Sequence, residues 1–208
     1  MKTIGKYGKI FYMDNKIEKM VLIWVKADNN NLPNLNEEFC ETRDIFQARL
    51  DKMINNLLSK GKISETDIYV LAAIAGEIGN NSFDHNLGSW PDIMGVFFSY
   101  GEEDEKLKIA LADRGQGLQA TLKRVKPELK NDSEALFTAF NERISGRAPE
   151  PRGNGLKFVK ENIKDKKMHL LFRSGFARAE LNDKMTIEET NDNIRGSLAI
   201  ITYRPLAK

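Results

Sequence analysis

Apolar residues recur at helical spacing through the first half of the chain. Phe39, Ile45, Phe46, Leu50, Met53, Ile54 and Leu57 form one such series, which stops at Gly61. Asn36 can cap this helix, and Glu37 and Glu38 suit its positive first turn. A second helix opens at Ser64, with Asp67 three residues later in the manner of a capping box. Ile68, Leu71, Ala72, Ala75 and Ile78 carry it to about Asn86. Ahead of both helices, residues 8–26 alternate loosely and are rich in Ile, Val, Phe, Tyr and Trp. That pattern predicts a hairpin turning at Asp14-Asn15. A polar break from Asp28 to Asn36, with Pro33 inside it, separates it from the helices.

Beyond Trp90-Pro91 the period changes from helix to strand. Ile93 to Tyr100 and Leu107 to Ala112 predict two strands around an acidic turn, Gly101 to Lys106. Residues 114–153 are irregular, with short helical stretches near 117–125 and 133–142. A helix over 155–165 follows. His169 to Phe172, Ala177 to Leu181 and Ser197 to Tyr203 predict strands, and the polar stretch from Asn182 to Gly196 predicts a long loop. Helices come first and most strands later. The fold class is therefore α+β, a layered sandwich rather than alternating βαβ. Residues 1–62 form an N-terminal hairpin and helix packed on a core made by residues 63–208.

Composition narrows the function classes. At 208 residues the chain holds one large domain or two small ones. The 32 basic and 30 acidic residues leave a net charge of +2, which argues against a dedicated nucleic-acid coat. One cysteine, Cys40, and two histidines, His85 and His169, exclude an internal disulfide framework and argue against a structural zinc site. The early apolar run Val21 to Val25 is far short of the roughly 20 residues of a bilayer helix. The first residues lack the apolar stretch of a signal peptide, so the expectation is a cytoplasmic protein that makes no use of a membrane.

Three constellations remain unexplained by packing alone. Glu77, Asn81 and His85 are spaced by four and share one face of the second helix. Carboxylate, carboxamide and imidazole make a poor core stripe, because burying them without partners is costly. A solvated helix face is the plain alternative. Next, Asp113 ends an apolar strand and is followed by Gly115 and Gly117, whose missing side chains allow close approach of a ligand. A plain turn would look alike, and Gly115 to Ala120 also fits the G-x-G-x-x-A of dinucleotide binding. The preceding layout, however, is helical rather than βαβ. Last, Arg152-Gly153-Asn154-Gly155-Leu156-Lys157 runs straight into a helix, whose first amides attract phosphate. An ordinary glycine helix start is the competing explanation. It is not a P-loop, since no G-x-x-x-x-G-K-[ST] occurs.

In this order the three resemble the boxes of the GHKL, or histidine-kinase-like, ATP-binding superfamily, which includes gyrase and sensor histidine kinases. E-I-G-N-N-S-F-D-H resembles its N-box, D-R-G-Q-G its D-x-G-x-G glycine box, and G-N-G-L-K-F-V its second glycine box, with Lys157 in place of a glycine. Leu136-Phe137-Thr138-Ala139-Phe140 resembles the phenylalanine box of the histidine-kinase ATP lid. The resemblance covers about residues 65–165. It implies the Bergerat fold, a two-layer α/β sandwich with helices on one face of a mixed, mostly antiparallel sheet.

The resemblance also implies roles. Asn81 would hold Mg²⁺ bridging the phosphates of ATP. Asp113 would accept from the adenine amino group, with Gly115 and Gly117 letting the backbone pass the base. Gly153, Asn154, Gly155 and Leu156 would present amides to phosphate. Lys157, Arg152 and Arg147 are candidate phosphate contacts, as is His85, and Glu77 matches the general base of members that hydrolyse ATP or phosphorylate serine.

No dimerisation helix pair with an acceptor histidine is present, and 40 or so residues after 168 are too few for a transducer domain. The nearest logic is the anti-sigma-factor type of kinase, a single domain that phosphorylates a protein partner on serine or threonine. An ATP-driven binding switch and an ATP hydrolase are the alternatives, and a homodimer through residues 1–62 is a further partner option.

Overall fold

Side chains on a strand alternate between the two faces of its sheet, and one strand divides this molecule into two cores. In the computed structural model, which describes residues 16–28, 36–142 and 155–205, that strand is β3 (Lys106–Asp113). Leu107, Ile109 and Leu111 enter the larger core, while Ala110 and Ala112 enter a smaller one on the opposite face. Around β3 lie β1 (Phe39–Cys40), β2 (Val96–Glu103), β4 (His169–Leu181) and β5 (Met185–Tyr203), in the order β1-β2-β3-β5-β4. Each of these neighbouring pairs is antiparallel. The α+β sandwich expected from the sequence forms, with a group of helices layered on one face of the sheet and one helix added on the other.

Helices α2 (Arg43–Lys60), α3 (Glu65–Asn86), α5 (Asp132–Asn141) and α6 (Gly155–Asp165) bury their apolar faces in the larger core, and α4 (Gly117–Leu122) packs against α5 and β4. Ser64 caps α3 as its sequence suggests: its hydroxyl accepts the Asp67 N–H at 3.1 Å and donates to the Asp67 carboxylate at 2.7 Å. The β2–β3 turn is tight. Glu103 pairs with Lys106, and the two residues between them, Asp104 and Glu105, both have positive φ, as a type I′ hairpin requires.

Three expectations are corrected. Of the N-terminal hairpin over residues 8–26, the described part, residues 16–26, is a helix, α1 (Lys16–Lys26); the turn at Asp14-Asn15 lies outside the described residues. Its buried positions Ile17, Val21, Trp24 and Val25 fall at i, i+4, i+7 and i+8, which is one helical face despite the β-branched content. Tertiary burial overrides intrinsic propensity here. Secondly, the helix expected from Asn36 starts at Arg43 with Thr42 as its cap, because Phe39 and Cys40 pair with β2 instead. Thirdly, the polar stretch 182–196 is mostly strand: after a turn at 182–184, β5 begins at Met185. β5 continues through it beside β4, and its polar side chains face solvent on an edge hairpin.

The new helix α1 lies across the face of the sheet opposite the other helices, packing on β2, β3 and β5. Glu103 anchors its start by accepting the Ile17 N–H at 2.9 Å while pairing with Lys108 at 2.9 Å. Burial alone would raise the Glu103 pKa, but that amide and the Lys108 ammonium hold it below the ordinary value.

Candidate functional site

Helix α3 presents two adjacent rows of polar residues, and each row meets a different glycine segment. The first row, Ser82 and Asn86, faces the end of β3, where Asp113 is only 3% exposed. Ser82 donates to Asp113 Oδ2 at 2.8 Å, and the Gly115 N–H donates to Oδ1 at 2.8 Å. Asn86 Nδ2 lies 3.5 Å from Oδ1, and the Ser197 amide also donates to this carboxylate. Burial raises the Asp113 pKa, and these four donors oppose it without cancelling it.

Asn86 does more than touch Asp113. Its Nδ2 donates to the Ser82 carbonyl at 2.8 Å, and its Oδ1 accepts the Gln116 N–H at 2.9 Å. The carboxamide thus fills the space beside Gly115, where a Cβ would collide with it. Gly115 is required here by close packing against a side chain. Gly117 is required by its backbone, at φ +79°. The turn is then tied to the sheet by Ser174, whose hydroxyl accepts the Leu118 N–H at 2.9 Å and donates to the Gly196 carbonyl at 2.8 Å. Gly196, at φ +72°, stands against Asp113 so closely that a Cβ would meet its backbone and carboxylate oxygens.

The second row, Glu77, Asn81 and His85, is half-buried, and Glu77 and Asn81 lie against the start of α6. Gly155 begins α6 directly over it: a Cβ there would overlap Glu77 Oε1 and come within 3.1 Å of Asn81 Nδ2. Leu156 packs against the larger core, and Lys157 is exposed. The structure therefore brings Glu77, Asn81 and Gly155 together, and Asp113, Gly115 and Gly117 together, along one helix. Arg147, Arg152, Gly153 and Asn154 lie outside the described residues. In the phenylalanine box, Phe140 is buried with its ring 5.4 Å from that of Phe172, edge to face, while Phe137 is exposed.

No family model and no curated protein matches this chain. The case for the site therefore rests on its geometry.

Four participants escape sequence inspection: Ser82, Asn86, Ser174 and Gly196. Ser82 and Asn86 were legible in principle, being i, i+4 on the row beside Glu77, Asn81 and His85. Ser174 and Gly196 carry no local signal, because their partners lie 56 and 22 residues away. Among the described residues no group of three His, Cys, Asp or Glu could hold a metal ion. Any cation held by Asn81 would keep most of its ligands as water or substrate oxygens, which is the habit of Mg²⁺.

Proposed function

We propose that the chain binds ATP with Mg²⁺ along α3 and transfers a phosphoryl group to a protein partner. The observation that carries this reading is that one helix touches both glycine segments through adjacent rows. From Glu77 to Asn86 the helix rises about 13 Å at 1.5 Å per residue, commensurate with a nucleoside triphosphate laid along it.

The residues present fit the group. A carboxylate offers about four acceptor sites. At Asp113, Ser82 and the Gly115 and Ser197 amides hold theirs, while the Asn86 contact at 3.5 Å is at the limit of a hydrogen bond. That weakly held site is the one an exocyclic amine would take. At the other end, α6 starts at Gly155, and the first amides of a helix favour anions through its dipole. Asn81 supplies one oxygen ligand to Mg²⁺, and Lys157 adds positive charge near the same amides. When bound, ATP and Mg²⁺ supply the transferable phosphoryl group and neutralise its charge.

Glu77 then acts as the base. Its carboxylate orients the partner's serine or threonine hydroxyl and takes the proton at one of its oxygens. Calorimetry with ATP in the presence and absence of Mg²⁺ tests binding. Incubation with γ-labelled ATP and the proteins encoded beside this chain tests transfer. Binding without labelled product overturns the kinase; no binding overturns the whole reading.

A further inference from the structure

Arg114 is the largest of the fully buried side chains, at 1% exposure, and it sits inside the D-x-G-x-G segment. Its Nη2 pairs with Asp92 Oδ2 at 2.5 Å, both side chains being almost wholly buried. Its Nη1 donates to the Trp24 carbonyl of α1 at 3.2 Å, and its guanidinium carbon lies 5.9 Å from the Trp24 ring centre. The same Asp92 oxygen also pairs with Arg195 at 2.7 Å, one residue before Gly196. One guanidinium thus joins α1, the loop after α3 and the turn that carries Asp113.

We infer that Arg114 is a positioning residue through which the docking of α1 controls nucleotide affinity at Asp113. This inference rests on the proposed nucleotide site. The backbone of Arg114 lies between the Asp113 carboxylate and the Gly115 N–H that donates to it at 2.8 Å. The dihedral angles of Arg114 therefore decide whether that hydrogen bond forms. Its guanidinium is held by two buried partners, so those angles are constrained by Asp92 and by α1. An undocked α1 withdraws the Trp24 carbonyl and ring from a guanidinium that the fold otherwise keeps dry. The arginine must then turn toward water, which loosens the Asp113–Gly115 contact.

Coupling of this kind is reciprocal. Whatever holds α1 on the sheet strengthens nucleotide binding, and nucleotide holds α1 on the sheet. Trp24 is 3% exposed and reports directly on that docking. The N-terminal helix is on this account the regulatory input of the protein.

The test uses the full chain with Trp90→Phe, which leaves Trp24 as its one tryptophan. Titration with Mg²⁺–ATP is followed by calorimetry and by Trp24 emission together. The expected result is a saturable Trp24 change with the same dissociation constant as the heat. Arg114→Lys keeps the charge opposite Asp92 but loses the fork that also reaches Trp24. It should bind Mg²⁺–ATP about 5- to 10-fold more weakly and flatten the Trp24 response. The emission titration needs no change at Arg114 or in α1, so it stands even if Arg114→Lys folds poorly. Heat without any Trp24 response, or unchanged affinity in a folded Arg114→Lys, overturns the coupling and leaves the nucleotide site standing. No heat in the parent chain overturns the site itself, and the inference with it.

Discussion

Gly155 stands so close to Glu77 that a Cβ on it would overlap Oε1 and lie 2.7 Å from Cδ. The obstructing atoms are the far end of a flexible side chain, and Gly155 starts a helix, where alanine is well tolerated. Gly155→Ala should therefore fold, with a melting temperature within about 2 °C of the parent. The new methyl pushes the Glu77 carboxylate aside. If Glu77 is the base of the proposed reaction, phosphoryl transfer should fall on the order of 10²-fold. Thermal melting and initial rates on one preparation check it; a large stability loss with normal specific activity contradicts the account.

Asp113 accepts only donors: Ser82, Asn86 and two amides. Asp113→Asn turns one acceptor into an NH₂ facing them. The expected cost is about 1–3 kcal/mol of stability, together with at least a tenfold loss of ATP affinity. Denaturant unfolding and calorimetry measure the two separately. Unchanged affinity in a folded Asp113→Asn protein counts against nucleotide recognition by this carboxylate.

The legible and illegible parts of this molecule divide by sequence distance. Helix α3, its Ser64–Asp67 start and helix α6 follow from periodicity and capping within a few residues, and the structure has them where the pattern puts them. The alignment of Glu77, Asn81 and His85 is equally local. Helix α1 reads as a hairpin in the sequence although its buried positions are spaced by 4, 3 and 1. Its β-branched and aromatic residues imitated a strand, and the sheet face it covers was not visible in the sequence. Arg114 occupies a position that motif spacing leaves unspecified. Its partner in α1 is 90 residues away, so nothing in its neighbourhood announced a buried cation. Gly196 lay inside a stretch whose polarity suggested a loop, because one side of an edge strand faces water.

Gly115 has no need of positive φ, and its space is filled by the Asn86 carboxamide. A Cβ at Gly115 must displace Asn86, and with it the hydrogen bonds to Ser82 and Gln116. Gly115→Ala should therefore cost about 2 kcal/mol, as should Asn86→Ala by orphaning buried backbone groups. The double variant should lose less than the sum by roughly 1 kcal/mol or more, since the methyl then occupies vacated space. Additive losses in a urea double-mutant cycle contradict direct packing between the two.

Asp67 ties three elements together at the start of α3. Its Oδ1 pairs with Lys166, just after α6, at 2.7 Å, and its Oδ2 accepts the Tyr203 hydroxyl of β5 at 2.9 Å. The Lys166 contact is the first cause of an Asp67 pKa below 3.8, against a smaller opposing effect of burial. At the other pole, burial first, then the hydrogen bond to Asp67 and its charge, push the Tyr203 phenol up to about 12 from 10.0. The two shifts act at opposite ends of the pH scale. With a lowered folded pKa, the stability contributed by Asp67 is present above 3.8 and is lost as pH falls through the folded value. With a raised folded pKa, the contribution of Tyr203 is complete below pH 10 and is lost as pH rises toward about 12, because the unfolded chain releases its phenolic proton first. Tyr203→Phe should cost about 1.5–3 kcal/mol near neutral pH, the value of a hydrogen bond to a charged acceptor, and should remove that alkaline loss. Urea unfolding at several pH values between 7 and 12 measures both. A Tyr203→Phe protein that loses stability above pH 10 as steeply as the parent would place the alkaline transition on other groups. A loss confined to the parent locates it at the contact that holds α3, and the row it carries, against β5.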